Sequence, residues 1–219
     1  MRSFVILGLS RFGRSVAKAL YEMGQEVLAI DENEEMIQNI SDYVTCAMVG
    51  NINDENVLKA AGIKNYDAAV VSTGKDLSSS ILVIQTLKDM GIRYIVAKAQ
   101  NEMHAKVLTK LGVDRVVFPE QDMGERVARN LVLTNIIDYI ELSPDYTIIE
   151  IKSPQNWENK TLKKLNVRAK YGIYIIAIKN GLQINVAPAA DYIVSSGDIL
   201  VVIGSNSEID KLNKGLSRK

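Results

Sequence analysis

The sequence predicts an α/β protein that combines a doubly wound parallel sheet of the Rossmann type with a smaller α+β module. Three observations lead to this fold class. Short apolar runs alternate with amphipathic segments through the first half of the chain, a glycine-containing turn follows the first run, and the pattern changes after residue 142. With 219 residues, the chain is long enough for one large domain or two small ones.

The apolar runs of the first half are short and bounded by Gly, Asp or Asn, which is typical of strands buried on both faces of a parallel sheet. Amphipathic segments fill the gaps and predict helices, several of which end at a glycine. Such an alternation makes a complete doubly wound sheet. The predicted strands cover residues 4–7, 27–30, 44–49, 68–71, 95–97 and 116–118, and the predicted helices cover 12–23, 34–40, 55–61, 77–90 and 103–111.

A different pattern begins after Pro119, which ends the last of these strands. Residues 120–142 are predicted to form a crossover helix, with the helical pattern over 122–139. Turn residues then separate short strands, predicted at 146–151, 171–178, 182–186 and 199–203, and short helices, predicted at 162–167 and 208–212. The expected domains are therefore a nucleotide-binding domain over 1–119, the crossover helix over 120–142 and a ligand-sensing α+β subdomain over 143–219.

Composition narrows the class of protein. Lys+Arg and Asp+Glu both number 26, so the chain lacks the basic excess typical of nucleic-acid binders, and no nucleic-acid partner is expected. No apolar run approaches the roughly 20 residues that span a bilayer. The N-terminus enters a strand at once and the single cysteine cannot form an internal disulfide. We therefore expect a cytoplasmic protein.

The first turn carries the most informative chemistry. Gly8, Ser10 and Gly13 give a G-x-S-x-x-G pattern between a strand and a helix, and Asp31 ends the next strand. This order is how a Rossmann unit binds an adenine nucleotide, with phosphate at the helix N-terminus and the acid on the ribose. Asp31 favours a free ribose 2′-OH, because its charge would repel a 2′-phosphate. Ser10 replaces the middle glycine, so a mononucleotide and a dinucleotide both remain open.

Further candidates follow the strands at the same edge of the predicted sheet. An Asn-rich segment follows the third strand, a Ser-Thr-Gly segment follows the fourth, and a lysine ends the fifth. The predicted nucleotide-binding residues are Gly8, Ser10, Arg11, Phe12, Gly13, Asp31, Glu32, Asn51, Ile52, Asn53, Ser72, Thr73, Gly74 and Lys98.

No catalytic set accompanies these residues. Tyr94 and Lys98 have the spacing of a dehydrogenase pair, but they flank a strand, where residues four apart lie about 13 Å from each other. His104, the sole histidine, is predicted on the surface of a polar helix face. The chain is predicted not to be an enzyme. The alternative is an NAD(H)-dependent oxidoreductase with a small substrate domain, and a redox-sensing DNA-binding regulator is disfavoured by the zero net charge.

Together these segments resemble a known family. Residues 8–15 resemble the G-x-G-R-F-G opening of the RCK/KTN (TrkA-type) domains, which regulate potassium conductance in Ktr/Trk transporters. Residues 96–101 and 110–120 resemble that family's fifth strand and the segment leading to its crossover helix, and residues 166–172 with Pro188 resemble its C-terminal subdomain. The chain departs from the pattern at Ser10, for glycine, and at Asn51, for aspartate.

The resemblance implies a gating subunit without enzymatic activity. Homodimers would assemble into an octameric ring under an integral-membrane potassium transporter subunit, at the inner face of the cell membrane. ATP and ADP would exchange in the Rossmann cleft, with NAD(H) as the alternative. Arg11 would reach the γ-phosphate of ATP in a neighbouring subunit, and Glu120 would take part in a site for Mg²⁺ or Ca²⁺. The C-terminal subdomain would bind cyclic di-AMP through Leu162, Asn166, Arg168, Ile173, Ile175 and Pro188.

Overall fold

The computed structural model describes residues 1–73, 77–132 and 136–216, and it divides into two compact units, Met1–Asp122 and Met123–Lys219. Gly74, one of the predicted nucleotide-binding residues, lies outside the described residues. Within those three ranges, no helix is both long enough and apolar enough to cross a membrane.

The first unit is a parallel sheet with helices on both faces, in the strand order β3-β2-β1-β4-β5-β6. This confirms the predicted Rossmann-type fold class. Its strands are β1 (Ser3–Leu7), β2 (Glu26–Asp31), β3 (Cys46–Val49), β4 (Ala68–Val71), β5 (Ile95–Lys98) and β6 (Arg115–Val117). Its helices are α1 (Arg11–Glu22), α2 (Glu34–Ile40), α3 (Glu55–Ala60), α4 (Leu77–Asp89), α5 (Glu102–Lys110) and the start of α6 (Pro119–Val132).

The side chains of the central strands alternate between the two faces of the sheet, which explains why helices cover both faces. Val5 and Leu7 of β1 pack into one apolar core, and Ile6 between them packs into another. Successive side chains of a strand point to opposite faces, so a strand that is apolar throughout needs a helical layer on each side. The carboxyl ends of the parallel strands therefore lie along one edge of the sheet, between the two helical layers.

The second unit is an antiparallel sheet in the order β10-β9-β11-β8-β7, with a core of its own built around residues such as Ile149, Trp157 and Leu200. The strands are β7 (Ile136–Glu141), β8 (Tyr146–Lys152), β9 (Tyr174–Asn180), β10 (Gln183–Val186) and β11 (Ile199–Ser205). The helices are α7 (Leu162–Leu165), α8 (Val167–Tyr171) and α9 (Asn206–Leu216).

The predicted crossover helix is wrong in its second half. Helix α6 ends at Val132, and Ile136–Glu141 form strand β7. This strand pairs antiparallel with β8, placing Tyr139 opposite Ile149 and Ile140 opposite Ile148. A segment rich in β-branched residues carries only a weak helical preference, and pairing with a neighbouring strand overrides it. The prediction of one helix over 122–139 missed this pairing because it is formed only in three dimensions.

A second difference concerns the predicted helix 162–167. The chain forms two short helices there, because Asn166 adopts a left-handed conformation with φ of 45°. Asparagine tolerates this conformation better than most residues. The strand predicted from residue 171 consequently begins at Tyr174, after α8 has ended at Tyr171.

His104 is buried, contrary to the surface position predicted for it. Its Nδ1 accepts from the backbone N–H of Gln100 at 3.4 Å, so Nε2 carries the proton and lies 2.9 Å from Oγ of Ser80. The Ser80 hydroxyl in turn donates to the carbonyl of Leu77. The imidazole therefore links α5 to the first turn of α4, and the polar appearance of its helix face hid this contact between helices.

Protonation of His104 is expected to destabilise the fold. Burial lowers the pKa of the imidazole below its ordinary value of about 6.5. The unfolded chain then binds this proton more readily than the folded chain, so the stabilisation is complete above about pH 6.5 and is lost as the pH falls below it. Because the chain has one histidine, His104→Gln should flatten the pH dependence of the unfolding free energy between about pH 5 and 7. Urea unfolding at several pH values measures this, and an unchanged slope in the variant would contradict it.

Candidate functional site

A cleft of about 580 Å³ opens at the carboxyl ends of β1, β2, β3 and β4. The chain leaves β1 and β4 in opposite directions along the sheet, and such a switch point is where open α/β sheets bind their ligands. The lining residues come from the ends of those strands and from the helices that follow. They are Gly8, Leu9, Ser10, Asp31, Glu32, Asn33, Met36, Asn51, Ile52, Asn53, Ser72, Thr73 and Ser79.

Two glycines make the floor of this cleft possible. Gly8 has φ of +91°, and a Cβ there would lie 2.9 Å from the carbonyl oxygen of Ser72. A Cβ at Gly13 would lie 2.2 Å from the carbonyl oxygen of Gly8 and 3.0 Å from Cβ of Ser72. Gly13 therefore lets the first turn of α1 pack directly against the ends of β1 and β4, which is the role of the last glycine in a Rossmann turn.

Ser10, the residue that departs from the glycine pattern, is the N-cap of α1. Its Oγ accepts from the backbone N–H of Gly13 at 3.4 Å and lies 2.5 Å from Oγ of Ser72. The side chain thus satisfies one N–H of the helix start and joins the turn to β4. The N–H groups of Arg11 and Phe12 belong to the first turn of α1 and have no intrahelical acceptor, so a phosphate can use them.

Asp31 ends β2 with its carboxylate held in place by the backbone. Oδ2 accepts from the N–H of Leu9 at 2.5 Å, and Oδ1 accepts from the N–H of Asn33 at 2.8 Å. Each carboxylate oxygen can accept a further hydrogen bond. A ribose hydroxyl can therefore bind to Asp31 without breaking the contacts that orient it, and none of the described residues that line the cleft is a cation that would pair with a 2′-phosphate.

The opposite side of the cleft is polar. Asn51 accepts from the N–H of Asn53, and Asn53 Oδ1 accepts from the hydroxyl of Ser79 at 2.8 Å. Ile52 is the apolar member of this segment and is half-buried. The hydrogen bond between Asn53 and Ser79 therefore joins the β3–α3 connection to α4, and the wall presents an apolar side chain beside polar groups.

Most of the predicted residues that belong to strand ends do line the cleft. Four lining residues were missed: Leu9, Asn33, Met36 and Ser79. Leu9 and Asn33 flank predicted positions, and Asn33 has the signature of a helix N-cap two residues after Asp31, which could have indicated it. Ser79 lies on α4 and reaches the cleft only because α4 packs beside β4.

Several predicted residues lie outside the cleft lining. Gly13 acts beneath it, as a packing residue, and Phe12 packs against the core on the α1 side of the sheet. Arg11 is exposed and lines a different groove on the outer side of α1. Lys98, expected to reach phosphate, forms a 2.5 Å ion pair with Glu120.

Glu120 is therefore a charged partner of Lys98 in this chain. The Lys98 ammonium lowers the pKa of the Glu120 carboxyl, whose side chain is 72% exposed. Within the described residues, no group of three or more His, Cys, Asp or Glu side chains could hold a metal ion. A divalent cation at Glu120 would have to compete with the Lys98 ammonium for the carboxylate.

The residues predicted to bind cyclic di-AMP cluster around α7, α8 and β9 in the second unit. Asn166 and Arg168 are exposed, and the Arg168 guanidinium lies 4.8 Å from the centre of the Tyr174 ring. Leu162, Ile175 and Pro188 are half-buried. Ile173 is fully buried in the core, so its side chain offers no surface for a ligand in this conformation, and its contact with cyclic di-AMP stays a prediction. Ile173 lies between α8 and β9, and the sequence does not show on which side of the sheet its side chain packs.

Comparison with known proteins identifies the family. Residues 4–119 match the TrkA-N domain and residues 146–216 match the TrkA-C domain. The Ktr system potassium uptake protein C of Bacillus subtilis (strain 168) is 42% identical over 213 residues, which cover 97% of this chain and 96% of that protein. The Ktr system potassium uptake protein A of the same organism is 41% identical over 216 residues, covering 98% and 97%.

Solved structures agree on the fold. The GsuK RCK domain superimposes with a TM-score of 0.67 at 17% identity, covering all of this chain and 48% of that one. The prediction that the chain is not an enzyme is confirmed, because its relatives over nearly the full length are potassium uptake proteins. The cleft, the two matched domains and the full-length similarity lead to one assignment: the chain belongs to the RCK family of TrkA-N/TrkA-C proteins and is a KtrA/KtrC-like member of it.

Proposed function

We propose that this protein is the nucleotide-sensing regulatory subunit of a potassium uptake system. The observation that carries the proposal is the cleft at the switch point, where a helix N-terminus, a fixed carboxylate and an apolar residue lie around about 580 Å³. These groups suit phosphate, ribose and adenine in turn. The similarity to two Ktr proteins supplies the physiological role, regulation of a membrane potassium transporter.

The nucleotide is proposed to be ATP or ADP, with NAD(H) as the alternative. The Ser10 side chain occupies space that the middle glycine of a dinucleotide fingerprint leaves open to pyrophosphate. A mononucleotide needs phosphate contact only at the N–H groups of the α1 start. This difference favours adenine mononucleotides over a dinucleotide in this cleft.

Discrimination between ATP and ADP is proposed to come from a second copy of the chain. Arg11 lies in the phosphate turn, yet it is exposed and lines the outer side of α1. It is thus available to the γ-phosphate of a nucleotide held by a neighbouring subunit in a homodimer and octameric ring. A ligand shifts a conformational equilibrium only if it binds one state better, and an arginine supplied across an interface gives ATP that preference.

Arg11→Ala is therefore expected to weaken ATP binding by about tenfold, the loss typical of a hydrogen bond between charged groups. ADP affinity should stay within about twofold of the wild-type value, since ADP lacks the γ-phosphate. Calorimetry at protein concentrations that support assembly measures both affinities. Lys59→Ala provides the matched control, because Lys59 is an exposed cation of α3 paired with Glu55. Equal losses for ATP and ADP would contradict the role proposed for Arg11.

The second unit is proposed to bind cyclic di-AMP between two copies, through Leu162, Asn166, Arg168, Ile173, Ile175 and Pro188. Arg168 is stacked on Tyr174 with its charge exposed, which suits a phosphate beside a purine. A dimeric site also accounts for exposed apolar side chains on β10, where Ile184 is 60% and Val186 is 73% exposed. Mg²⁺ or Ca²⁺ is proposed at Glu120, with ligands from the neighbouring copy.

Calorimetry of the full chain with ATP, ADP, AMP, NADH and cyclic di-AMP tests the binding part of this proposal. We expect tight binding of ATP and ADP and weaker binding of NADH. A chain that binds none of the adenine nucleotides would refute the sensor function. Potassium uptake tests the physiological part: the gene should restore regulated uptake in cells that retain a Ktr membrane subunit but lack their own regulatory subunit. We expect the protein at the cytoplasmic face of the membrane in those cells.

A further inference from the structure

A second concave surface lies on the outer side of α1, separate from the nucleotide cleft. We name it the α1–α2 groove, and it has a volume of about 440 Å³. No residue lines both the groove and the cleft. The groove residues are Arg11, Arg14, Ser15, Lys18, Asn39 and Ile40.

The α1–α2 groove is strongly basic. Its three cations, Arg11, Arg14 and Lys18, follow one another at spacings of three and four along α1, which places them on one face of the helix. None of the six lining residues carries a carboxylate. Across the described ranges 1–73, 77–132 and 136–216, none of the three cations forms an ion pair.

The local contacts of two of these cations leave their charges uncompensated. The Nη1 of Arg14 lies 3.6 Å from the sulfur of Met36, and Nζ of Lys18 lies 3.8 Å from the centre of the Tyr43 ring. A thioether and an aromatic ring orient a cation but do not neutralise it. Like charges on adjacent turns of one helix repel each other. The chain as a whole carries no net charge, so overall basicity does not explain this concentration.

We propose that the α1–α2 groove binds a phosphate-bearing anion at a site distinct from the nucleotide cleft. Guanidinium groups present paired N–H donors that match phosphate oxygens, and the Lys18 ammonium adds a third charge. The amide of Asn39 can donate as well. The assembly proposed above is not required for this inference. The proposed anion is a free polyphosphate, which distinguishes this site from the contact proposed above between Arg11 and the nucleotide of a neighbouring copy.

The position of Arg14 connects this site to the nucleotide cleft. Its partner Met36 is also a lining residue of the cleft, so a phosphate that draws Arg14 away from the sulfur changes the contacts of a cleft side chain. Occupation of the groove is therefore expected to alter nucleotide affinity, and by linkage the nucleotide alters the affinity of the groove for its anion by the same factor.

Pyrophosphate is the probe for the test. Calorimetry of the full chain at low ionic strength, with saturating AMP present to occupy the cleft, should show pyrophosphate binding. The double variant Arg14→Gln, Lys18→Gln should weaken this binding by about tenfold or more, because it removes two charged donors. Lys106→Gln, a change of an exposed cation on α5, should have no effect. Circular dichroism establishes that the variants retain the fold.

Two results of the pyrophosphate titration would overturn the proposal: no pyrophosphate binding to the wild-type chain, or binding that AMP abolishes and the double variant leaves intact. If the wild-type chain binds pyrophosphate but no adenine nucleotide, and the double variant loses pyrophosphate binding, the nucleotide sensor is refuted and the groove is supported. The source of the phosphate is decided by the same double variant. A loss of ATP but not ADP affinity, seen only at protein concentrations that permit self-association, would assign these cations to the nucleotide of a neighbouring copy and overturn the proposal of a free-anion site. Unchanged nucleotide affinities identify a free anion.

Discussion

Replacement of Gly13 by alanine is expected to lower the free energy of unfolding of the first unit by about 3 kcal/mol or more. The added Cβ would lie 2.2 Å from the carbonyl oxygen of Gly8 and 3.0 Å from Cβ of Ser72. Both neighbours belong to rigid parts of the sheet, so α1 would have to move away from the ends of β1 and β4. That movement also displaces the N–H groups of the α1 start, and nucleotide binding should be lost even where the variant folds.

Urea unfolding followed by far-ultraviolet circular dichroism measures the effect, with a nucleotide titration of the folded variant beside it. Gly124→Ala is the matched control, because a Cβ at Gly124 in α6 meets no atom within 4 Å. In that helical position alanine should be neutral or stabilise by up to about 1 kcal/mol. If Gly13→Ala unfolded at the wild-type urea concentration and bound nucleotide normally, the close packing at this turn could not be what the glycine provides.

Asp198→Ala is expected to cost the second unit about 3 kcal/mol or more in stability, since it leaves several buried donors unsatisfied. Asp198 is fully buried and accepts hydrogen bonds from three groups: Asn180 Nδ2 at 2.7 Å, Tyr192 Oη at 3.0 Å and the backbone N–H of Ser195 at 2.8 Å. This carboxylate joins the end of β9 to the loop before β11. Pro188, a predicted contact of cyclic di-AMP, precedes that loop.

Trp157, the sole tryptophan, is buried in the second unit, so its fluorescence reports unfolding there. Tyr192→Phe removes one of the three groups that donate to Asp198. This variant should lower the free energy of unfolding by about 1 kcal/mol. Asp191→Ala, at an exposed neighbouring acid, should change stability by less than about 0.5 kcal/mol. A fluorescence midpoint for Asp198→Ala equal to that of Asp191→Ala would show that the buried carboxylate contributes nothing to the fold.

The nucleotide cleft was largely predictable because its residues follow strand ends in the sequence. Gly8 and Asp31 belong to a local pattern, and a parallel sheet brings its strand C-termini to one edge whatever the details of packing. Ser10 was predicted as a cleft residue, but its role as N-cap and partner of Ser72 needed the structure. Met36 was missed, because it reaches the cleft through the packing of α2 and not through any motif.

The sequence was least informative where contacts between two separate secondary-structure elements decide the outcome. Residues 136–141 carry a weak local preference, and their pairing with β8 made them a strand. His104 looks exposed on its own helix and is buried by Ser80 of another. In both cases the outcome depends on pairing with a second segment of the chain, and the pattern within the first segment contains no information about that pairing.

By itself the sequence determined the order of the strands and helices in the first unit, the turn geometry at Gly8 and Gly13, and the acid at the end of β2. These features are local, since they follow from periodicity and from the conformational freedom of glycine. Tertiary structure decided which cations have partners. It pairs Lys98 with Glu120 and leaves Arg14 and Lys18 beside a sulfur and an aromatic ring. Ion pairing depends on distances of a few ångströms between segments, and only the folded chain sets those distances.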